Sequence, residues 1–85
     1  MSAISAFYGI IIYMWSRGEH NPPHIHAEYA EYDAVFDFNG KMLTGKFPKG
    51  KKKLVVAWIE IHKEELAANW KLASSNQNTF MIQPL

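Results

Sequence analysis

The stretch His24-Ile25-His26-Ala27-Glu28-Tyr29-Ala30-Glu31-Tyr32-Asp33-Ala34-Val35-Phe36-Asp37-Phe38-Asn39-Gly40-Lys41-Met42-Leu43-Thr44-Gly45 carries a polar–apolar alternation punctuated by turn signals, and that pattern decides the fold. Side chains alternate across a strand, so a period of two sets Ile25, Ala27 and Tyr29 on one face and His24, His26 and Glu28 on the other. Asn39-Gly40 is the pair favoured in a two-residue type I′ hairpin, because both positions need positive φ. This turn predicts Phe38 opposite Lys41, Phe36 opposite Leu43 and Ala34 opposite Gly45. Taking Ala30-Glu31 as a second two-residue loop sets Tyr29 opposite Tyr32, Ala27 opposite Ala34 and Ile25 opposite Phe36. The apolar face then agrees across all three strands. The other face sets His24 against Asp37, His26 against Val35 and Glu28 against Asp33, and the last pair juxtaposes like charges unless a cation or proton lies between them. A one-residue slip would reverse every face.

Upstream, His20-Asn21-Pro22-Pro23 forms a rigid elbow into this segment, since residues before proline favour extended backbone and asparagine closes local turns. Before it, the apolar run Ala6–Trp15 is read as one buried strand, followed by a polar turn at Ser16-Arg17-Gly18-Glu19. The run lacks the basic flank and small-residue cleavage site of a signal peptide, and it is far too short to span a bilayer. Downstream, Lys51 to Ala73 holds no glycine or proline, and Leu54, Val55, Trp58, Ile59, Ile61, Leu66 and Trp70 form one broad helical stripe. His62, Glu65 and Asn69 fall on the same stripe, so a kink or break is expected near Lys63-Glu64, with Glu65–Ala73 as a second short helix. After a polar loop, Thr79–Ile82 reads as a short edge strand closed by Pro84, open either to a dimer contact with a second copy of the chain or to capping its own sheet. The fold class is α+β: an antiparallel sheet of about four strands with a C-terminal helix, kinked or split, packed on one face, in a single domain over 1–85.

Composition narrows the function classes. A chain of 85 residues supports one modest core and no deep cavity, while 48% hydrophobic residues and an aromatic share of 14% exclude a disordered tail. The absence of cysteine excludes disulfides, thiolate metal sites and thiol nucleophiles, which suits a reducing cytoplasm. A formal net charge of +1 gives no general attraction to nucleic acid or anionic lipid, so such binding needs a local patch.

The face bearing His24, His26 and Glu28 is the candidate site. Two imidazoles and a carboxylate on one strand face form a donor set for a divalent metal such as zinc, manganese or ferrous iron. Without a metal, His24 or His26 beside Asp37 has the acid–base chemistry of RNA cleavage, with Lys41 or Lys46 contacting phosphate. The bland alternative is a solvated sheet face and a proline elbow that sets strand entry. Lys46, Lys49, Lys51, Lys52 and Lys53 crowd the strand-to-helix turn, where their charge opposes the helix dipole, and form a docking point for phosphates or an acidic partner. His20 and Asn21 join them as candidate binding residues. Trp15, Trp58 and Trp70 are read as core.

Ile4-Ser5-Ala6-Phe7-Tyr8-Gly9-Ile10-Ile11-Ile12, the block His20-Asn21-Pro22-Pro23-His24-Ile25-His26-Ala27, and Trp58 to Leu66 with Asn69-Trp70 resemble a family of small bacterial proteins catalogued as domain of unknown function four-one-six-zero. The resemblance marks His20, Asn21, Pro22, Pro23, His24, His26, Glu28, His62 and Trp70. It implies a two-gene, toxin–antitoxin-like cassette with a small protein partner from the neighbouring gene, without assigning toxin or antitoxin. Where the family helix often begins with arginines, this chain has Lys51-Lys52-Lys53, which weakens any role needing bidentate contacts. Two expectations result: an interaction module that also contacts RNA, and a small histidine-dependent enzyme, either a ribonuclease or a metal-dependent hydrolase.

Overall fold

The computed structural model describes residues 2–16 and 22–85. The polar turn expected at 16–19 falls almost wholly outside this set, as do His20 and Asn21. Among the described residues five antiparallel strands form a simple meander in the order β1-β2-β3-β4-β5: β1 (Ser2–Phe7), β2 (Ile10–Met14), β3 (His24–Tyr29), β4 (Tyr32–Asp37) and β5 (Met42–Gly45). Two helices follow, α1 (Lys49–Ile61) and α2 (Lys63–Ser74). The class is therefore α+β, as the segment order requires.

The apolar run read as one strand is a hairpin. Tyr8 and Gly9 both take positive φ, 50° and 81°, and Phe7 stands opposite Ile10. Two positive-φ residues give the twist of a tight two-residue turn, which folds the run back on itself. This extra reversal raises the strand count from about four to five.

The β3–β4 register is the one expected at all six positions, from His24 opposite Asp37 to Tyr29 opposite Tyr32. Ala30 tolerates φ of 52° in the two-residue loop. The next turn differs. Only Gly40 is left-handed, at φ 85°, and the Asp37 N–H donates to the Lys41 carbonyl, giving a three-residue loop of Phe38, Asn39 and Gly40. Asp37 is the cause, because its Oδ1 accepts both the Asn39 and Lys41 N–H groups at 2.9 Å. A side chain that satisfies the turn from its first residue outcompetes the type I′ pairing. Ala34 still stands opposite Gly45, but a register irregularity brings Met42, not Leu43, opposite Phe36, and Phe38 belongs to the loop. Asp37→Ala is expected to lower the unfolding free energy by about 1–2 kcal/mol, with Asp37→Asn retaining most of the wild-type value. Equal denaturation midpoints for both variants and the wild type would refute this assignment.

The helix breaks at His62, one residue before the expected point, where φ of −112° and ψ of 25° leave the α region. Its N–H is shared between the Trp58 and Ile59 carbonyls at 3.1 and 3.2 Å, and its Nδ1–H donates to Glu65 at 2.5 Å. Val55, Trp58, Ile59 and Leu66 bury against Ile10, Ile12, Ile25 and Phe36 on one face of the sheet. Each such burial contributes about 1.5–3 kcal/mol before chain entropy is subtracted. Thr79–Ile82 does not form the expected edge strand. The Ile82 N–H reaches the Ile4 carbonyl at 2.7 Å, while both Phe80 backbone groups are taken by the Asn69 amide instead of β1.

Candidate functional site

The second face of the sheet carries the candidate residues. Alternation along β3 sends His24, His26 and Glu28 there, and the ladder sets Tyr13 and Val35 on either side of His26. The neighbouring row runs from Ala6 through Ile11 and Glu28 to Asp33. Of the two helices, only Trp70 of α2 reaches this face, at its His24 end, while the apolar sides of α1 and α2 pack on the opposite one.

The Pro22-Pro23 elbow fixes His24. Its Nδ1 lies 2.9 Å from the Pro22 carbonyl oxygen. A carbonyl can only accept, so Nδ1 carries the hydrogen, and in the neutral form of the ring the lone pair is on Nε2. The imidazole is only 9% exposed. Its ring centroid is 5.1 Å from His26 and 5.1 Å from Trp70 of α2. His26 in turn lies flat under Trp15, with centroids 3.5 Å apart and planes at 9°. Tyr13 at 6.5 Å from Trp15 and Phe38 at 6.2 Å from Trp70 extend the chain of rings at both ends. The elbow, the end of β2, the β4–β5 loop and α2 thus converge on two imidazoles held between two indoles.

Of the three tryptophans expected in the core, Trp58 is fully buried there, Trp70 is half-buried against the core and also packs on His24, and Trp15 is a half-buried partner of His26. Neither role was visible in periodicity: Trp15 lies just beyond its strand, and Trp70 is distant in sequence. Asp37 does stand opposite His24, but the two side chains are not hydrogen-bonded to each other. Its Oδ1 serves the turn, and His24 Nδ1 serves Pro22. Glu28 lies at the far end of β3 opposite Asp33, and among the described residues no three His, Asp or Glu side chains come together as a metal-binding group.

The lysines divide. Lys51 turns inward, donating from Nζ to the Tyr8 carbonyl at 3.1 Å and lying 4.8 Å above the Tyr29 ring. Lys49, Lys52 and Lys53 edge a concavity on α1, and Lys46 borders a separate one with Glu31, Tyr32 and Asp33. His62 packs on Trp58 at 5.4 Å at the helix break, away from the imidazole pair. The arrangement can present one imidazole nitrogen lone pair beside aromatic surface; it does not present a His–Asp dyad.

The family described as Domain of unknown function (DUF4160) matches residues 9–71, most of the chain, including the elbow, both histidines, the break at His62 and Trp70. No curated protein and no solved structure was found to match significantly. Among the described residues no helix is long and apolar enough to cross a membrane. The chain belongs to the DUF4160 family.

Proposed function

We propose that this DUF4160 chain is a protein-binding module, the small partner protein being the product of a neighbouring gene in a toxin–antitoxin-like pair in the bacterial cytoplasm. The observation that supports it is the exposed part of this sheet face among the described residues, where Ile11 is 36% exposed and adjoins the Tyr13–Trp15–His26 surface, with Glu28 and Asp33 beside them. Aromatic residues on a rigid sheet lose little entropy on docking and anchor interfaces. The Glu28–Asp33 pair favours a partner bringing a lysine or arginine and disfavours RNA phosphates on this face.

The test is to co-express the chain with the adjacent gene's product, isolate the complex and measure Kd for the wild type, Ile11→Arg, Tyr13→Ala and His24→Ala. The two face variants should weaken binding by about tenfold or more, with His24→Ala within a few-fold. Wild-type affinity in both face variants sinks the reading.

The fixed His24 tautomer favours a second reading, a small histidine-dependent ribonuclease with Nε2 as the base. It requires RNA cleavage by the chain alone and a loss on the order of a hundredfold in His24→Ala. Repeating the assay with chelator separates the metal-free reaction from a metal-dependent hydrolase.

A further inference from the structure

The start of α1 is electrostatically unfavourable for a helix. Pro48 supplies no side-chain cap, no acidic residue occupies the first turn, and Lys49, Lys51, Lys52 and Lys53 fall within the first five positions. Positive charge at a helix N-terminus opposes the dipole and repels its own kind. Lys51 has a structural use in the Tyr8 and Tyr29 contacts. Among the described residues Lys49, Lys52 and Lys53 have no ion-pair partner. They line a shallow, open concavity along α1 whose apolar floor is Val56 and Ala57 and which ends at Glu60. Val56 is held from behind by the β4–β5 loop, where a Cβ added to Gly40 would lie 3.1 Å from its Cγ1. Glu60 is occupied by Lys63 at 3.4 Å. Ile61, 63% exposed, lies one helical turn beyond Ala57.

We infer that this groove on α1 docks an acidic amphipathic segment of a protein partner, with carboxylates on Lys49, Lys52 and Lys53 and apolar side chains on Val56 and Ala57. Charge complementarity selects the occupant's sign, and the apolar floor selects its class. A phosphate backbone would satisfy the lysines and leave the floor unused, and the groove has no aromatic platform for bases. The groove lies on the outer side of α1, across the sheet from Tyr13 and His26. The inference is therefore independent of the sheet-face reading, and one chain has room for two contacts at once.

The test uses the full chain and three fluorescent probes: a short amphipathic peptide of glutamate and leucine, the same peptide with glutamine for glutamate, and an oligouridine. The acidic peptide should bind in low salt. The combined variant Lys49→Glu/Lys52→Glu/Lys53→Glu should weaken it by about tenfold or more while holding or raising Tm, since removing these lysines relieves the helix dipole. Ala57→Gln, which leaves every charge in place, should lower peptide affinity several-fold without changing that of the oligouridine. Peptide binding unaffected by the lysine reversal overturns the inference. So does an oligouridine bound more tightly than the acidic peptide, or an Ala57→Gln variant that binds the peptide as well as the wild type does.

Discussion

Gly45→Ala is expected to lower the unfolding free energy by about 3 kcal/mol or more, the largest effect of a Gly→Ala change at any described glycine. Gly45 sits at φ of 94° opposite Ala34, and a Cβ there would lie 2.3 Å from the Asp33 carbonyl oxygen and 2.6 Å from the Ala34 Cα. Both obstacles are backbone, so no side-chain rotation relieves them. The left-handed conformation adds a penalty of its own for a residue with a Cβ. The same contact carries the Lys46 N–H to Asp33 carbonyl bond at 3.0 Å, which closes β5 onto β4 just before the chain turns into α1. Gly50 supplies the internal control: a Cβ there meets nothing within 4 Å, and it lies in the first turn of α1. Gly50→Ala should stabilise by up to about 1 kcal/mol through helix propensity. Urea unfolding at unchanged slope should therefore shift the midpoint in opposite directions for two glycines five positions apart. A Gly45→Ala midpoint equal to the wild type would show that the β4–β5 approach is looser than this geometry.

The sequence was most legible where two constraints coincided. In β3 and β4 a pleat with one buried face and a two-residue loop both specify register, so the face carrying His24, His26 and Glu28 was assigned correctly from alternation. Legibility failed where a local group overrode a pattern. Asn39-Gly40 has the composition of a two-residue turn, but the Asp37 carboxylate takes the two amides that define a longer one. That same commitment takes Asp37 away from the acid–base pairing with His24 that register alone suggested. At Tyr8-Gly9 the apolar run masked a reversal whose one signal was the glycine. For the site, the imidazole pair was readable and its indole partners were not. Stacking of Trp15 on His26 and packing of Trp70 on His24 come from elements joined by tertiary structure, a relation that no spacing rule encodes.

Asn69→Leu is expected to cost about 2–4 kcal/mol and to free the C-terminal segment, even though leucine suits the helical stripe better than asparagine does. Asn69 is fully buried, and its amide behaves as a piece of backbone: Nδ2 donates to the Phe80 carbonyl at 2.8 Å and Oδ1 accepts the Phe80 N–H at 2.9 Å. Leucine removes both partners and leaves the part-buried Phe80 N–H and carbonyl without the Asn69 amide, which outweighs its gain in hydrophobicity. The segment's other anchors are the Ile82 N–H to Ile4 at 2.7 Å and the Trp58 Nε1–H to Gln83 at 2.9 Å, so loss at Phe80 removes the bond pair nearest the polar loop. Amide hydrogen exchange should then accelerate at Phe80 and Ile82 ahead of β3 and β4, and Tm should fall. The effect should extend to the candidate site. Asn76, Gln77, Asn78 and Thr79 of this segment share a cleft of about 180 Å³ with Trp15, the residue that covers His26. Release of the segment should therefore red-shift tryptophan emission in Asn69→Leu under native conditions as the Trp15 side of the cleft opens. Wild-type exchange at Phe80 together with an unshifted spectrum would show that β1 and Trp58 hold the segment without Asn69.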